Sequence, residues 1–303
     1  MQLQAISLRQ VRFFVALAES GNFSRAAEKM AISQPALSSA IRQVETLMGL
    51  RLFDRTTHRV TLTSAGLSFL PHAQRLLTTA DNAFRDMGEA AHRGRTTIRI
   101  GAIPSTFPAI ARAMATLDQD AAGVSLHLAD GKSDELIADL HRGRIDLAIC
   151  VCGRVEDGLL ADLLVEDEML LVVPVGHALD GVDSLLWSRL EGQEIVHFAG
   201  GSIGDLSRAA MRQHNLEPSS RYQVDQTDSL FGIIAGGLAV GVMPRLYTRR
   251  FAPEQVSLVS LVQPAIRRRI VMLRRKALAE EHPLGAWVAD QFTPLLPSLL
   301  ASH

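Results

Sequence analysis

Residues 30–49 read MAISQPALSSAIRQVETLMG. Leu37, Ile41, Val44 and Met48 recur there at the spacing of one helical face, which predicts a helix with its aliphatic side turned inward. Ser33 can cap its start. Pro35 falls in the first turn, where backbone N–H groups lack helical partners and a proline is tolerated. Gly49 ends it. Gln34, Pro35, Ser38, Ser39 and Arg42 are left on the outer side. Glutamine and arginine can present paired hydrogen bonds to base edges, and serine suits either a base or a phosphate. The exposed helix start also carries partial positive charge, which suits phosphate. A merely solvated helix would show short polar residues too, so the neighbouring segments decide between the two readings.

Upstream, SLRQ fits a capping box with Ser7 as N-cap and Gln10 three places on. Leu8, Val11, Phe14, Val15 and Ala18 then mark one helical face, and Gly21 and Asn22 stop it. Ser24 is read as the cap of a short second helix running to Met30. The three residues AIS join that helix to the one at Ser33, which is the arithmetic of a helix-turn-helix. Downstream, RLFDRTTHRVTLTSAG contains an alternating, β-prone HRVTLT, which predicts a small two-stranded wing.

From Ser64 to about Arg93 the pattern is helical again. Phe69, Ala73, Leu76, Ala80, Ala83 and Met87 step by fours and threes, with Leu70, Leu77, Phe84 and Ala91 beside them. A long helix with such a stripe wants a partner helix. Pro71 should kink it, because it removes a hydrogen bond to the preceding turn. HRGRTT then breaks the pattern as a hinge. Beyond Thr97 short apolar strands (TIRIGAI, VSLHLA, IDLAICV, EMLLVVPV, EIVHF, RYQVD, AVGVMP) alternate with helical stretches such as PAIARAMATL and SDELIADLHRG. That rhythm implies parallel-rich α/β sheets.

The chain of 303 residues is 47% hydrophobic and 21% charged, ordinary for a globular protein with a sizeable core. No stretch of about 18 apolar residues suggests a membrane span, and MQLQAISLRQ lacks a secretory pattern; a cytoplasmic protein is expected. The net charge of −1 hides an asymmetry: residues 1–95 hold 12 Lys/Arg against 7 Asp/Glu. A basic first part on an acidic remainder suggests a polyanion partner for that part. With the turn, the wing and the polar helix face, double-stranded DNA is the partner expected.

These residues carry a resemblance. LRQVRFFVALAESGNFSRAAEKMAISQPALSSAIRQVETLMGLRLFDRT and VTLTSAG are similar to the DNA-binding region of LysR-type transcriptional regulators. IRIGAIPS, GRIDLAI, LLVVPVGHAL and GIIAGGLAVGVMP extend the likeness over nearly the whole chain. The resemblance implies α+β and α/β architecture: a winged helix-turn-helix domain over 1–63, a linker and dimerisation helix over 64–92 and an effector domain over 93–303. That domain would have two lobes like periplasmic solute-binding proteins, lobe I about 96–162 plus 268–303 and lobe II about 163–267, with crossovers near 162 and 267. It implies a dimer that assembles to a homotetramer. Ser33, Gln34, Pro35, Ser38 and Arg42 would face the major groove. Ser24 and Arg55 would touch the DNA backbone, and Arg59 on the wing would reach phosphate or the minor groove.

A small-molecule input is expected at strand-to-helix turns, since α/β folds bind ligands at the carboxyl ends of strands and helix starts donate N–H groups. GAIPST places Ser105 and Thr106 at one helix start, DGKSDEL places Ser133 at another and GGSIGDL places Ser202 and Ile203 at a third. The resemblance points to the same turns, with Thr227 flanking the cleft. Read alone, the serines could be nothing more than N-caps. Some family members that bind aromatic acids carry an arginine at the end of the strand where this chain has Val151. Its replacement removes a bidentate carboxylate clamp and argues for a monoacid or neutral metabolite over a dicarboxylate.

Cys150 and Cys152 lie two apart on a predicted strand, a spacing that would strain a disulfide, so core packing is expected over a thiol switch. The histidines, His58, His127, His177 and His197 among them, show no ligand spacing, and neither metal nor cofactor is expected. A solute-binding protein without a DNA role would suit the last 200 or so residues but not the first 90. An enzyme is not expected: the chain has no GxxxxGK[ST] and no GxGxxG opening a helix after a strand.

Overall fold

The computed structural model describes residues 6–55, 60–93, 95–117, 123–216, 221–249 and 251–301. The chain divides into two compact units, Met1–Arg95 with His141–Arg144, and Thr96–Leu140 with Ile145–His303.

The first unit begins with helices α1 (Leu8–Ser20), α2 (Phe23–Lys29) and α3 (Gln34–Met48). The capping box forms as expected: the Gln10 N–H donates to Ser7 Oγ at 3.3 Å and the Ser7 N–H to Gln10 Oε1 at 2.9 Å. Gly21, at φ 60°, closes α1 in the left-handed conformation that glycine adopts without strain. The cap of α2 is Asn22 and not Ser24. Asn22 has the extended backbone an N-cap needs and its side chain accepts from the Arg25 N–H, whereas Ser24 already lies inside the helix. Phe14, Leu17, Ala26, Leu37, Ile41 and Leu52 are fully buried in one core. Each large aliphatic among them contributes on the order of 1.5–3 kcal/mol.

The wing is the antiparallel pair β1 (Phe53–Arg55) and β2 (Val60–Leu62). It is fixed to α3 by Glu45, whose carboxylate accepts from the N–H groups of Leu52 and Phe53 at 3.0 and 3.2 Å. Helix α4 (Ser64–Arg93) runs unbroken past Pro71. Its start packs so closely that a Cβ on Gly66 would lie 2.2 Å from the Leu52 carbonyl oxygen. Phe69, Leu70 and Leu77 pack on the core, while Leu67, Leu76, Phe84 and Met87 stay exposed.

The second unit alternates strand and helix as the sequence predicts. β3 (Thr96–Ala102), β4 (Val124–Asp130) and β5 (Leu147–Val151) are parallel; α5 (Phe107–Thr116) and α6 (Ser133–His141) connect them. The long β6 (Leu159–Pro174) follows, then β7 (Ser184–Leu186), β8 (Ile195–Phe198), α7 (Gly201–Gln213), β9 (Gln223–Val224), α8 (Thr227–Ala235), β10 (Val240–Pro244), α9 (Arg245–Thr248), β11 (Val256–Val262), β12 (Arg267–Arg275), α10 (Leu278–Glu281) and α11 (Pro283–Ala301).

Strand order makes two lobes. Lobe I is β4-β3-β5-β12-β6; lobe II holds the rest of β6 with β10, β8, β9, β11 and β7. β6 pairs with β12 from Leu159 through Glu168, then with β10 from Met169 and with β11 from Leu170. The crossing therefore lies at 168–169, later than residue 162, because β12 holds β6 in the first sheet for that whole length. The return strand β12 pairs with β6 from Arg267 onward. Separate apolar cores fill the lobes: Ile98, Ile110, Leu147 and Phe292 belong to one; Leu171, Trp187 and Met211 to the other.

Candidate functional site

The first polar surface is the outer side of α3. Leu37 and Ile41 have no exposed surface and Val44 has 1%, so the aliphatic side is pinned inside its own unit. Gln34, Pro35, Ser39 and Arg42 are exposed and Ser38 is half-buried. The Ala36 N–H points at Ser33 Oγ at 3.4 Å, which makes Ser33 the cap. Arg42 lies back along its own helix, donating to Ser38 Oγ at 3.1 Å and the Ser38 carbonyl at 3.3 Å. Both contacts are exposed and local, so the guanidinium can swing outward at little cost. Ser24 is exposed in the first turn of α2, and Arg55 ends β1. Arg59 lies outside the described residues.

The second surface is a cleft of about 250 Å³ lined from both lobes of the second unit. Ser105 enters it from the turn after β3, Ser133 from the turn after β4, Ser202 and Ile203 from the start of α7, and Thr227 from the start of α8. Gly201, at φ +64°, turns the chain into α7 where a side chain would be strained. Thr106 and Val151 do not join them. Thr106 is fully buried and its hydroxyl donates to the Ile103 carbonyl at 2.8 Å, turned away from the cleft. Val151 reaches the site only through its backbone, its N–H donating to Ser133 Oγ at 3.1 Å.

Sequence reasoning missed the centre of this site. Arg268, on β12, is 4% exposed and lines the cleft. Its Nε and Nη2 both donate to Oδ2 of Asp167 on β6, at 2.9 and 2.7 Å. Nη2 also reaches Ser105 Oγ at 3.2 Å and Nη1 reaches Ser202 Oγ at 3.3 Å. One side chain on a crossover strand thus touches a turn of each lobe. The other Asp167 oxygen accepts from the Leu246 N–H at 3.0 Å. Burial pulls the Arg268 pKa below the usual arginine range, and the Asp167 carboxylate opposes that pull. Each partner's charge offsets the cost of burying the other. The only sequence signal was the run Arg267–Arg269 at the head of a strand, where alternation turns the middle arginine inward.

The two thiols are buried in the lobe I core. Burial, and then the neighbouring Cys152, pushes Cys150 up to about 12. Burial foremost raises Cys152 as well. Thiolate is the reactive form, and burial disfavours it at both positions. Among the described residues no group of three or more His, Cys, Asp or Glu could hold a metal ion, and no helix is long and apolar enough to cross a membrane.

Comparison with known proteins covers both surfaces. Residues 8–67 match the family model of the bacterial regulatory helix-turn-helix protein, lysR family, and residues 91–291 match that of the LysR substrate binding domain. The chain is 30% identical over 250 residues to the uncharacterised HTH-type transcriptional regulator YnfL of Escherichia coli K12, covering 80% of this chain and 84% of that one. It is 25% identical over 276 residues to the hydrogen peroxide-inducible genes activator of Pectobacterium carotovorum, covering 89% and 90%. Full-length CbnR, solved in complex with its target DNA, shares the fold with a TM-score of 0.61 at 22% identity, covering 94% of this chain and 98% of that one.

Proposed function

The chain belongs to the LysR family of bacterial transcriptional regulators, and from that premise we propose how its own residues divide the work. It is a DNA-binding regulator modulated by a small-molecule effector, and not an enzyme. In the reading proposed for its sites, Gln34, Pro35, Ser38 and Arg42 enter the major groove with Ser33 at the helix start. Ser24 and Arg55 hold the DNA backbone, and Arg59 reaches the phosphates or the minor groove. The carrying observation is the division of α3, with Leu37, Ile41 and Val44 sealed inside and its polar side open.

The exposed Leu76, Phe84 and Met87, which share one side of α4, support dimerisation through residues 64–92. A monomer leaves that apolar stripe in water, and a second helix would cover it. Two dimers would make the tetramer, with half-sites about one helical turn or a multiple apart. The compartment is then the cytoplasm, where such DNA is met. The effector, a monoacid or neutral metabolite, binds among Ser105, Ser133, Ser202, Ile203 and Thr227. A ligand that prefers one arrangement of the lobes shifts the population toward it and so changes how the DNA is held. The packing of Cys150 and Cys152 in the lobe I core supports control through this cleft over thiol oxidation, despite kinship with a peroxide-inducible activator.

Gel retardation on a set of single-base operator variants tests the DNA assignment. Gln34→Ala should blur the preference at particular base pairs, at a cost of about 1–3 kcal/mol there. Arg55→Ala should weaken binding to every sequence alike and lower the salt slope by roughly one. A footprint indifferent to both changes would overturn the placement.

A further inference from the structure

The floor of the cleft is rich in hydrogen-bond donors. A guanidinium has five N–H groups. In Arg268, Nε spends its proton on Asp167, Nη2 divides its two between Asp167 and Ser105, and Nη1 gives one to Ser202. The second Nη1 proton has no acceptor among the described residues. Both serine hydroxyls accept from the guanidinium, so each must offer its own proton elsewhere, and neither meets an acceptor among the described residues. Arg268 is 4% exposed and Ser105 7%. Two of these donor protons lie at that depth and the third, on the half-buried Ser202, stands beside them; together they call for the oxygens of a ligand, since a buried polar group left unmet is costly. The start of α7 adds to the set: Gly200 gives it no side-chain cap and its first turn holds no acidic residue.

The rim has the opposite character. Asp130, Asp225 and Glu135 line it against Lys132 alone. Glu135 is partly spent, its carboxylate lying 3.4 Å from the Lys132 N–H of its own helix start. Asp167 already cancels the charge of Arg268, so the floor offers an anion directed donors without net positive charge, and the rim repels a plain anion. A molecule with a carboxylate at one end and a cation beside it answers both ends at once.

We propose that the cleft is built for a small zwitterion of the amino-acid class. Its carboxylate would rest on Ser105, Ser202 and Arg268, its ammonium would face Asp130 and Asp225, and its apolar part would lie along Phe198 and Ile203. This rests on reading the cleft as the effector site and narrows the neutral metabolite to one chemistry.

The test is titration calorimetry of the full chain with each of the standard amino acids. Every hit is followed by its N-acetyl derivative, its decarboxylated amine and its deaminated acid. An amino acid should bind, with each analogue at least about tenfold weaker. Ser105→Ala and Ser202→Ala, checked by thermal unfolding without ligand, should each weaken the amino acid roughly ten- to hundredfold, as expected for a lost hydrogen bond to a charged group. Asp225→Asn should weaken the amino acid and leave the deaminated acid unchanged. No binding by any amino acid overturns the proposal, and so does a deaminated acid that binds as well as its parent. If that acid is still lost in Ser202→Ala, the cleft stands as the effector site and only the zwitterion falls. Binding indifferent to both serine changes removes the cleft reading as well.

Discussion

The outer side of α3 and the cleft floor are both polar surfaces set on apolar cores, yet they are built on different scales. On α3 the groups belong to one short run of sequence, and the bonds Arg42 makes there reach only to Ser38 and Thr46, each four places away. In the cleft, Arg268 meets Asp167 across 101 positions of sequence and Ser105 across 163. The first surface needs only a helix with one side buried. The second exists only once both crossover strands are paired and both lobes have closed around them. A local surface can change its recognition with little effect on stability, whereas breaking the buried long-range pair beneath the cleft touches both.

The largest expected effect comes from breaking the assembled surface. Arg268→Ala leaves the Asp167 carboxylate, whose side chain is 1% exposed, buried beside a lost partner. That change should destabilise the second unit by about 3–5 kcal/mol in denaturant unfolding. Replacing the pair together, with Arg268→Met and Asp167→Leu, should recover most of the loss, because the penalty lies in the orphaned charge and not in the absent bond. Arg42→Ala on α3 makes the contrast: the side chain is exposed, and stability should stay within about 0.5 kcal/mol. Equal losses in Arg268→Ala and Arg42→Ala would end the distinction drawn between the two surfaces.

A smaller effect separates capping from recognition within the first unit. Asn22→Ala removes the acceptor of the Arg25 N–H from a helix of 7 residues and should cost about 1 kcal/mol. Ser24→Ala removes no such bond and should leave stability unchanged within about 0.5 kcal/mol. Any loss of DNA affinity in that variant would then report contact with the backbone. Thermal unfolding beside gel retardation reads both. A Ser24→Ala protein as destabilised as Asn22→Ala would restore Ser24 as the cap.

The same difference of scale governs what the sequence disclosed. The face of α3, the cap at Ser33, the capping box at Ser7 and Gln10 and the alternation of strand and helix are patterns of neighbours, and short windows carry them. Ser105, Ser133, Ser202 and Thr227 were legible for a similar reason, because each stands at a strand-to-helix turn. Arg268 was not, since nothing near it in the chain marks the middle of RRR as buried; its burial follows from β12 pairing with both β5 and β6. Thr106 and Val151 were misplaced by a single step. A turn aims neighbouring side chains in different directions, and one-residue rotations cannot be read from sequence. The point where β6 changes sheets was displaced for the same cause, being fixed by the length of its partner strand.

The smallest effect tests a buried group that belongs to neither surface. His197 on β8 has its Nε2 buried without a partner among the described residues. Burial foremost, and then the charge of Arg208, lowers its pKa below the usual 6.5, with Glu194 pulling the other way. The folded chain therefore keeps the ring neutral at a pH where the unfolded chain has begun to bind the proton. The stability tied to the neutral ring is whole above the unfolded value of 6.5 and drains away as pH falls through the folded one. Thermal midpoints between about pH 7.5 and 5 should thus fall less steeply in His197→Gln than in the parent. The glutamine cannot take up the proton, so whatever slope it retains belongs to other groups. Parallel slopes in the two proteins would mean that the burial of this ring is not felt as a charge penalty, and that lobe II can admit water to β8 as freely as the outer side of α3 admits it to Gln34.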